Sequence, residues 1–257
     1  MNPPVVSVGH LKQHVLPQLF ASPARLGEYG SGADSSAKLN QLSDLMEGGA
    51  TAALASKIAE ILRKMSDASP EQITRKPRWH ERLLGRDVEK QVRYQVARTT
   101  LEQHLTEAEG HAQGVRDTVT AIGKMIDAHA EEATSLRIFI QAGREFLDEN
   151  PDIGRVVEGE IEFDRPRERL ARKLANLATL LASHELSVSQ MKLSRAQALD
   201  MLDRFRETTT VLVPVWRQHT LTLITTKHMS PALVAEASKA HQALMASLTE
   251  SLNSVKH

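Results

Sequence analysis

Apolar residues recur in alternating steps of four and three from Leu101 to Leu147, with no proline in between, and this regularity constrains the fold more than any other feature. The stripe runs through Leu101, Leu105, Ala108, Ala112, Val115, Val119, Ile122, Ile126, His129, Ala133, Leu136, Ile140, Gly143 and Leu147. It predicts the seam of a long, coiled-coil-like helix, about 70 Å over this span at 1.5 Å per residue. A second stripe passes through Leu170, Leu174, Leu177, Leu181, His184, Val188, Met191, Arg195, Ala198, Leu202, Phe205, Thr209 and Leu212. Residues 148 to 166 between them form a charged turn region. Asp164 suits the N-cap of the second helix, and Pro166 suits its first turn, where a missing N–H costs little.

If the chain doubles back at that turn, the stripes meet in antiparallel register: Gly143 opposite Leu170, Leu136 opposite Leu177, Ile122 opposite Met191, Ala108 opposite Phe205 and Leu101 opposite Leu212. Intermediate layers, Ile140 with Leu174 and Ile126 with Val188, stay in phase with these. The expected fold is all-α: an elongated antiparallel helical hairpin or three-helix, coiled-coil-like bundle with a disordered N-terminal segment.

Composition agrees with a helical chain. Aromatic residues make up only 4%, and 32 basic residues balance 32 acidic ones, so no global field exists to hold a polyanion. Cysteine is absent. That excludes disulfides, thiolate metal sites, iron–sulfur clusters and a cysteine nucleophile supplied by this chain. No stretch approaches the roughly 20 apolar residues that span a bilayer. Met1 to Phe20 lacks the basic and apolar pattern of a secretory signal, and a cytoplasmic location is expected.

Three regions follow from this pattern. Residues 1–36, rich in Pro, Gly and Ser, are expected to be disordered, although Leu11, Val15, Leu16 and Leu19 can form a short turn of helix. Residues 37–86 carry short helices and a basic linker: one helical pattern lies at 37–47, and another spans about Thr51 to Met65, with Leu54, Ile58, Ile61, Leu62 and Met65 on its apolar face. Residues 87–257 form the helical bundle. Within it Pro214, which removes the bond to the Thr210 carbonyl, predicts a kink or break. Helical pattern then resumes through Trp216 and Ile224, and a last helix starts at Ser230 and Pro231, with Val234, Ala237, Leu244, Leu248 and Leu252 on its apolar side.

Several side-chain groups invite chemical readings. His129 and His184 face each other in the expected register and can share a metal or form a pH-sensitive layer. Two ligands fall short of a stable site, however, and the plainer reading pairs each imidazole with solvent or with Glu132 or Glu185. His104, Glu107 and His111 share one helical face at metal-compatible spacing, which any charged face also produces. Arg75, Lys76, Arg78, Arg82 and Arg86 surround Trp79, a pattern of a lipid- or nucleic-acid-contacting segment or of a linker docking its tryptophan. Near the turn, Arg137, Arg144, Arg155, Arg165, Arg167, Arg169 and Arg172 alternate with acidic residues, and mutual pairing outweighs the capture of an oxyanion. No P-loop, GxGxxG, GxSxG, HExxH or kinase signature occurs.

Three segments carry a family resemblance: Ile138-Phe139-Ile140-Gln141-Ala142-Gly143, the stretch Arg167 to Leu181, and Val213-Pro214-Val215-Trp216-Arg217-Gln218. The last is similar to a hydrophobic-Pro-hydrophobic-Trp-Lys/Arg-Gln motif. From about Trp79 onward the chain resembles the TelA/KlaA family of toxic-anion (tellurite) resistance proteins, and in its shortness the plasmid-borne KlaA branch. It departs from many relatives at Ala198 to Arg206, where they carry a Gln- and Asn-rich stretch. The resemblance implies an association with tellurite resistance operons and a stress-response role, and it supplies no catalytic residues.

These readings converge on a non-enzymatic scaffold or adaptor contributing to tellurite resistance. No cofactor and no metal are assigned. Protein partners are expected, other resistance-operon products among them; self-association and peripheral membrane contact stay open, and no specific nucleic acid is expected. Partner contact is assigned to Pro214, Trp216, Arg217, Gln218, Trp79, Arg78 and Arg82; the plainer reading of Trp216 packs it into the three-helix junction. The alternatives are a membrane- or nucleic-acid-associated coiled coil resting on residues 75–86, and an oxyanion-modifying enzyme, for which the chain offers neither a thiol nor a flavin or nicotinamide motif.

Overall fold

The computed structural model describes residues 7–31, 49–69, 72–73, 90–154 and 165–225, with residues 232, 235–236, 238–243 and 246–247 near the C-terminus. The fold is all-α. Its elements are α1 (Val8–His10), a π-turn (Leu11–Val15), α2 (Leu16–Ala21), a 3-10 turn (Pro23–Glu28), α3 (Ala50–Asp67), α4 (Lys90–Glu149), α5 (Pro166–Glu207), a second π-turn (Thr208–Leu212) and α6 (Val213–Thr225). The chain divides into two units. The first comprises Met1–Glu47 with Thr120–Arg195, and the second Gly48–Val119 with Ala196–His257, so α4 and α5 contribute to both.

In the first unit α4 and α5 run antiparallel, because advancing along one helix retreats along the other. His129 meets His184, and further along α4 Gly143 meets Leu174. The histidine layer sits in the expected register, whereas Gly143, expected opposite Leu170, lies against Leu174; Leu136, Ile140, Leu170, Leu174 and Leu177 share one apolar cluster, and Ile122, Ile126, Met191 and Val188 another. A Cβ on Gly143 would come within 2.5 Å of Leu174 Cδ2, so glycine permits the close approach here. Arg195, on the stripe by spacing, is exposed. Burying its guanidinium without a partner would cost more than its aliphatic stem returns.

The N-terminal segment departs from the expectation of disorder over residues 7–31. Leu11, Leu16, Leu19, Leu26 and Tyr29 are buried in the cluster that holds Leu136, Phe146 and Leu170. The Tyr29 hydroxyl donates to the Phe139 carbonyl at 2.8 Å, its ring meets Phe139 edge-on at 5.2 Å, and Lys12 binds Glu145 at 2.9 Å and also Glu149. Prolines do not break this segment, since Pro17 lies in the first turn of α2 and Pro23 opens the 3-10 turn. The helical turn expected from Leu11, Val15, Leu16 and Leu19 is present.

At the end of α4 the guanidinium of Arg167 donates to the Leu147 and Asn150 carbonyls, each at 2.9 Å. It caps carbonyls that the helix leaves without partners. Asp164, the expected N-cap of α5, and the 37–47 pattern lie outside the described residues.

The second unit buries the expected face of α3, Leu54, Ile58, Ile61, Leu62 and Met65, against Leu101, Ala108, Ala112 and Val115 of α4. Ala198 and Phe205 of α5, with Leu212, Val213 and Trp216, complete the same core, so Ala108 and Phe205 share one cluster, as do Leu101 and Leu212. Residues 238–243 are helical, with Ser238 and His241 buried. Val234, Ala237, Leu244, Leu248 and Leu252 lie outside the described residues. Among the described residues, no helix is long and apolar enough to cross a membrane.

Pro214 does not break the helix. The turn before it widens: the Val213 N–H reaches Thr208, five residues back, rather than four. Hydroxyls of Thr208, Thr209 and Thr210 donate to the carbonyls of Arg204 and Arg206 at 2.8 to 2.9 Å, occupying acceptors in the disturbed turn. The same device precedes Pro17, where the Leu16 N–H reaches Leu11.

Candidate functional site

Helical periodicity divides the Val213–Gln218 motif between two faces. Val213 and Trp216 turn inward, whereas Pro214 and Gln218 are exposed and Arg217 is half-buried. Of the two readings of Trp216, partner anchor and junction core, the second holds. Its exposure is 1%, its ring stacks on Tyr94 with centroids 5.9 Å apart, and its indole N–H donates to the Ala68 carbonyl at 2.9 Å. Burial together with a satisfied indole N–H is the usual condition of a structural tryptophan. Arg78, Trp79 and Arg82 lie outside the described residues.

The outward face of the motif borders an open groove of about 540 Å³ within the second unit. Leu105 of α4 and Val213, Pro214 and Leu221 of α6 supply apolar lining, and Thr209, Arg217, Gln218 and Thr222 supply polar lining. Proline keeps this face free of a backbone donor, and Thr209 of the widened turn joins the lining. One guanidinium nitrogen of Arg217 lies 3.4 Å from Glu102, which is held in turn by Arg98 at 2.8 Å. Arg98 keeps the Glu102 carboxyl below its ordinary range, so the groove edge carries paired charges near neutral pH. An apolar floor with a few placed polar groups is the composition of a contact surface. Pro214, Arg217 and Gln218 are thus brought together, joined by Leu105, Leu221 and Thr222, which sequence reading passed over. Leu105 was legible only as a seam residue.

The remaining chemical candidates separate on geometry. His104 approaches Glu60 and Glu107 at 3.5 and 3.8 Å, but the Lys57 ammonium binds both carboxylates, at 2.6 and 2.8 Å. Hydrogen bonding to Glu107 and Glu60 raises Lys57 above its ordinary value, and Lys57 lowers both carboxyls. A lysine therefore occupies the position a metal would need. Near the turn, Arg137 pairs with Glu185 at 2.6 Å and Arg165 with Glu168 at 3.5 Å, whereas Arg167 caps a helix. His129 and His184 are 1% and 3% exposed, with Nδ1 atoms 2.8 Å apart, and Glu132 Oε2 lies 3.6 Å from His184 Nδ1.

The chain is 66% identical over 250 residues to Protein KlaA of Escherichia coli, and the match covers 97% of each sequence. The chain belongs to the TelA/KlaA family. No family model matches the chain, and no solved structure matches it. Two of the segments that resemble the TelA/KlaA family now have physical roles. Phe139 meets Tyr29, Gly143 admits Leu174 and Ala142 is buried in the same cluster, while the proline motif supplies core on one side and groove on the other.

Proposed function

We propose that this chain is a non-enzymatic helical scaffold or adaptor contributing to tellurite resistance in the cytoplasm, and that it engages a protein partner through the Pro214 groove. Membership of a tellurite-resistance-associated family supplies the biological setting. The observation that carries the reading is the division of the proline motif: its apolar half builds the core, while Pro214, Arg217 and Gln218 line an open, largely apolar groove. A groove of this kind fits an apolar helix face or extended segment, with polar groups meeting Arg217 and Gln218. Other products of the same resistance operon are the partners to test first.

Because Trp216 is core, the informative variants are Gln218→Glu and Leu221→Asp, each checked for unchanged helicity. Either variant is expected to lower tellurite resistance of the host and to release an operon product that wild type retains in pairwise binding. Full resistance in both variants would remove the groove from the account. The non-enzymatic part is tested by incubating purified protein with tellurite and NADPH. No consumption above buffer is expected, and turnover would overturn the reading. The membrane or nucleic-acid alternative rests on residues 75–86, outside the described residues, and draws no support from the groove.

A further inference from the structure

In the first unit, between the Ile122–Met191 cluster and the Leu136–Leu177 cluster, lies a layer of different chemistry. His129 of α4 and His184 of α5 bring their Nδ1 atoms within 2.8 Å of each other. Glu132, one helical turn beyond His129, brings a carboxylate oxygen to 3.6 Å from His184 Nδ1. One ligand atom from each of the three residues lies within 4.8 Å of the others. We propose that His129, Glu132 and His184 form a binding site for one divalent transition-metal ion, which clamps α4 to α5. This inference is independent of the groove.

The donor set suits such an ion. Two neutral imidazoles and one carboxylate are a recurrent ligand set for divalent zinc, iron, cobalt and nickel. The distances also suit it: nitrogens 2.8 Å apart can each sit about 2.0–2.1 Å from one ion, at roughly a right angle, and a carboxylate oxygen 3.6 Å from one nitrogen closes the triangle with a small side-chain rotation. The charges suit it as well, because the single carboxylate offsets half of the ion's charge where both imidazoles are buried. His129 and Glu132 are three residues apart on one helix and so share a face, and α5 needs to contribute only His184. Without an ion, two imidazole nitrogens at this separation must share a proton as donor and acceptor, which is the competing state.

The test uses the full-length chain carrying His10→Ala and His14→Ala, since those two exposed imidazoles, with ring centroids 5.1 Å apart, form a second place where an ion can dock. Cobalt(II) is titrated while its visible d–d absorption is followed, with equilibrium dialysis for stoichiometry and zinc(II) as competitor. The proposal predicts one ion per chain, displaced by zinc, and a rise in melting temperature with zinc. His184→Gln should abolish the absorption band and the melting shift. Glu132→Gln, which leaves the imidazole pair in place and guards against a folding artefact, should weaken binding by more than about tenfold, since loss even of outer-shell groups costs roughly 10–100-fold. Absence of cobalt binding in the parent protein would overturn the proposal and leave a proton-sharing pair. Binding unchanged by Glu132→Gln and by a folded His184→Gln would overturn it too.

Discussion

In the first unit α4 and α5 meet through a seam interrupted by two imidazoles, whereas in the second the same two helices join α3 and α6 around Trp216. Both seams follow one heptad pattern, yet they fix their register by different means. A one-heptad slip in the first unit would set His129 against Leu177 or Met191 and leave a buried nitrogen without a partner, a cost of about 1–3 kcal/mol. In the second unit shape does this work. Trp216 fits between Tyr94 and the Ala68 carbonyl, and no other position on α6 offers a comparable side chain. A polar layer thus selects alignment in one place, and a bulky anchor selects it in the other.

Trp216→Ala is expected to have the largest effect, a loss of about 3–5 kcal/mol from lost burial and the cavity together. It should strip amide protection from Leu54–Met65 while leaving Leu136–Phe146 largely protected. Equal loss in both segments would mean that the two cores are not separately stabilised. Gly143→Ala comes next, at about 1–3 kcal/mol, because its new methyl meets Leu174. The Gly143→Ala/Leu174→Ala double variant should lose less than the sum of the single variants in urea denaturation, and strict additivity would contradict the close approach. Tyr29→Phe follows at about 1 kcal/mol, the value of one hydrogen bond, again confined to the first unit.

The smallest expected effect is a pH slope in the second unit. Burial holds His241 below its ordinary value of 6.5, and His219 acts in the same direction. The unfolded chain therefore binds the proton more tightly. The contribution of His241 is fully present above that ordinary value and is lost as pH falls below it. Stability measured between about pH 7 and about pH 5 should fall less steeply in His241→Gln than in wild type. An unchanged slope would show that His241 is not held neutral by its surroundings.

Much of this was legible beforehand, because heptad spacing is a local property of the chain. The seam of α4, the face of α3 and the pairing of His129 with His184 follow from periodicity and from one turn. Packing between distant segments was less so. Nothing near Tyr29 announces that its hydroxyl will reach Phe139, and the Pro, Gly and Ser content around it argues for disorder unless Pro17 and Pro23 are placed in first turns. Trp216 was legible only as a choice between an exposed anchor and a junction core. The widened turn at Thr208–Leu212 keeps the helix continuous, and Trp216 points inward. Glu132 could be named from sequence as a neighbour of the histidines, but only coordinates place its carboxylate near His184.

Methyl-selective nuclear Overhauser measurements on Ile, Leu and Val test the seam register most directly. Cross-peaks are expected to join Leu136 with Leu177, Ile140 with Leu174 and Ile126 with Val188 in the first unit, and Leu101 with Leu212 in the second. Cross-peaks joining Leu136 with Leu170, together with none to Leu177, would place the helices a heptad out of register and contradict this pairing.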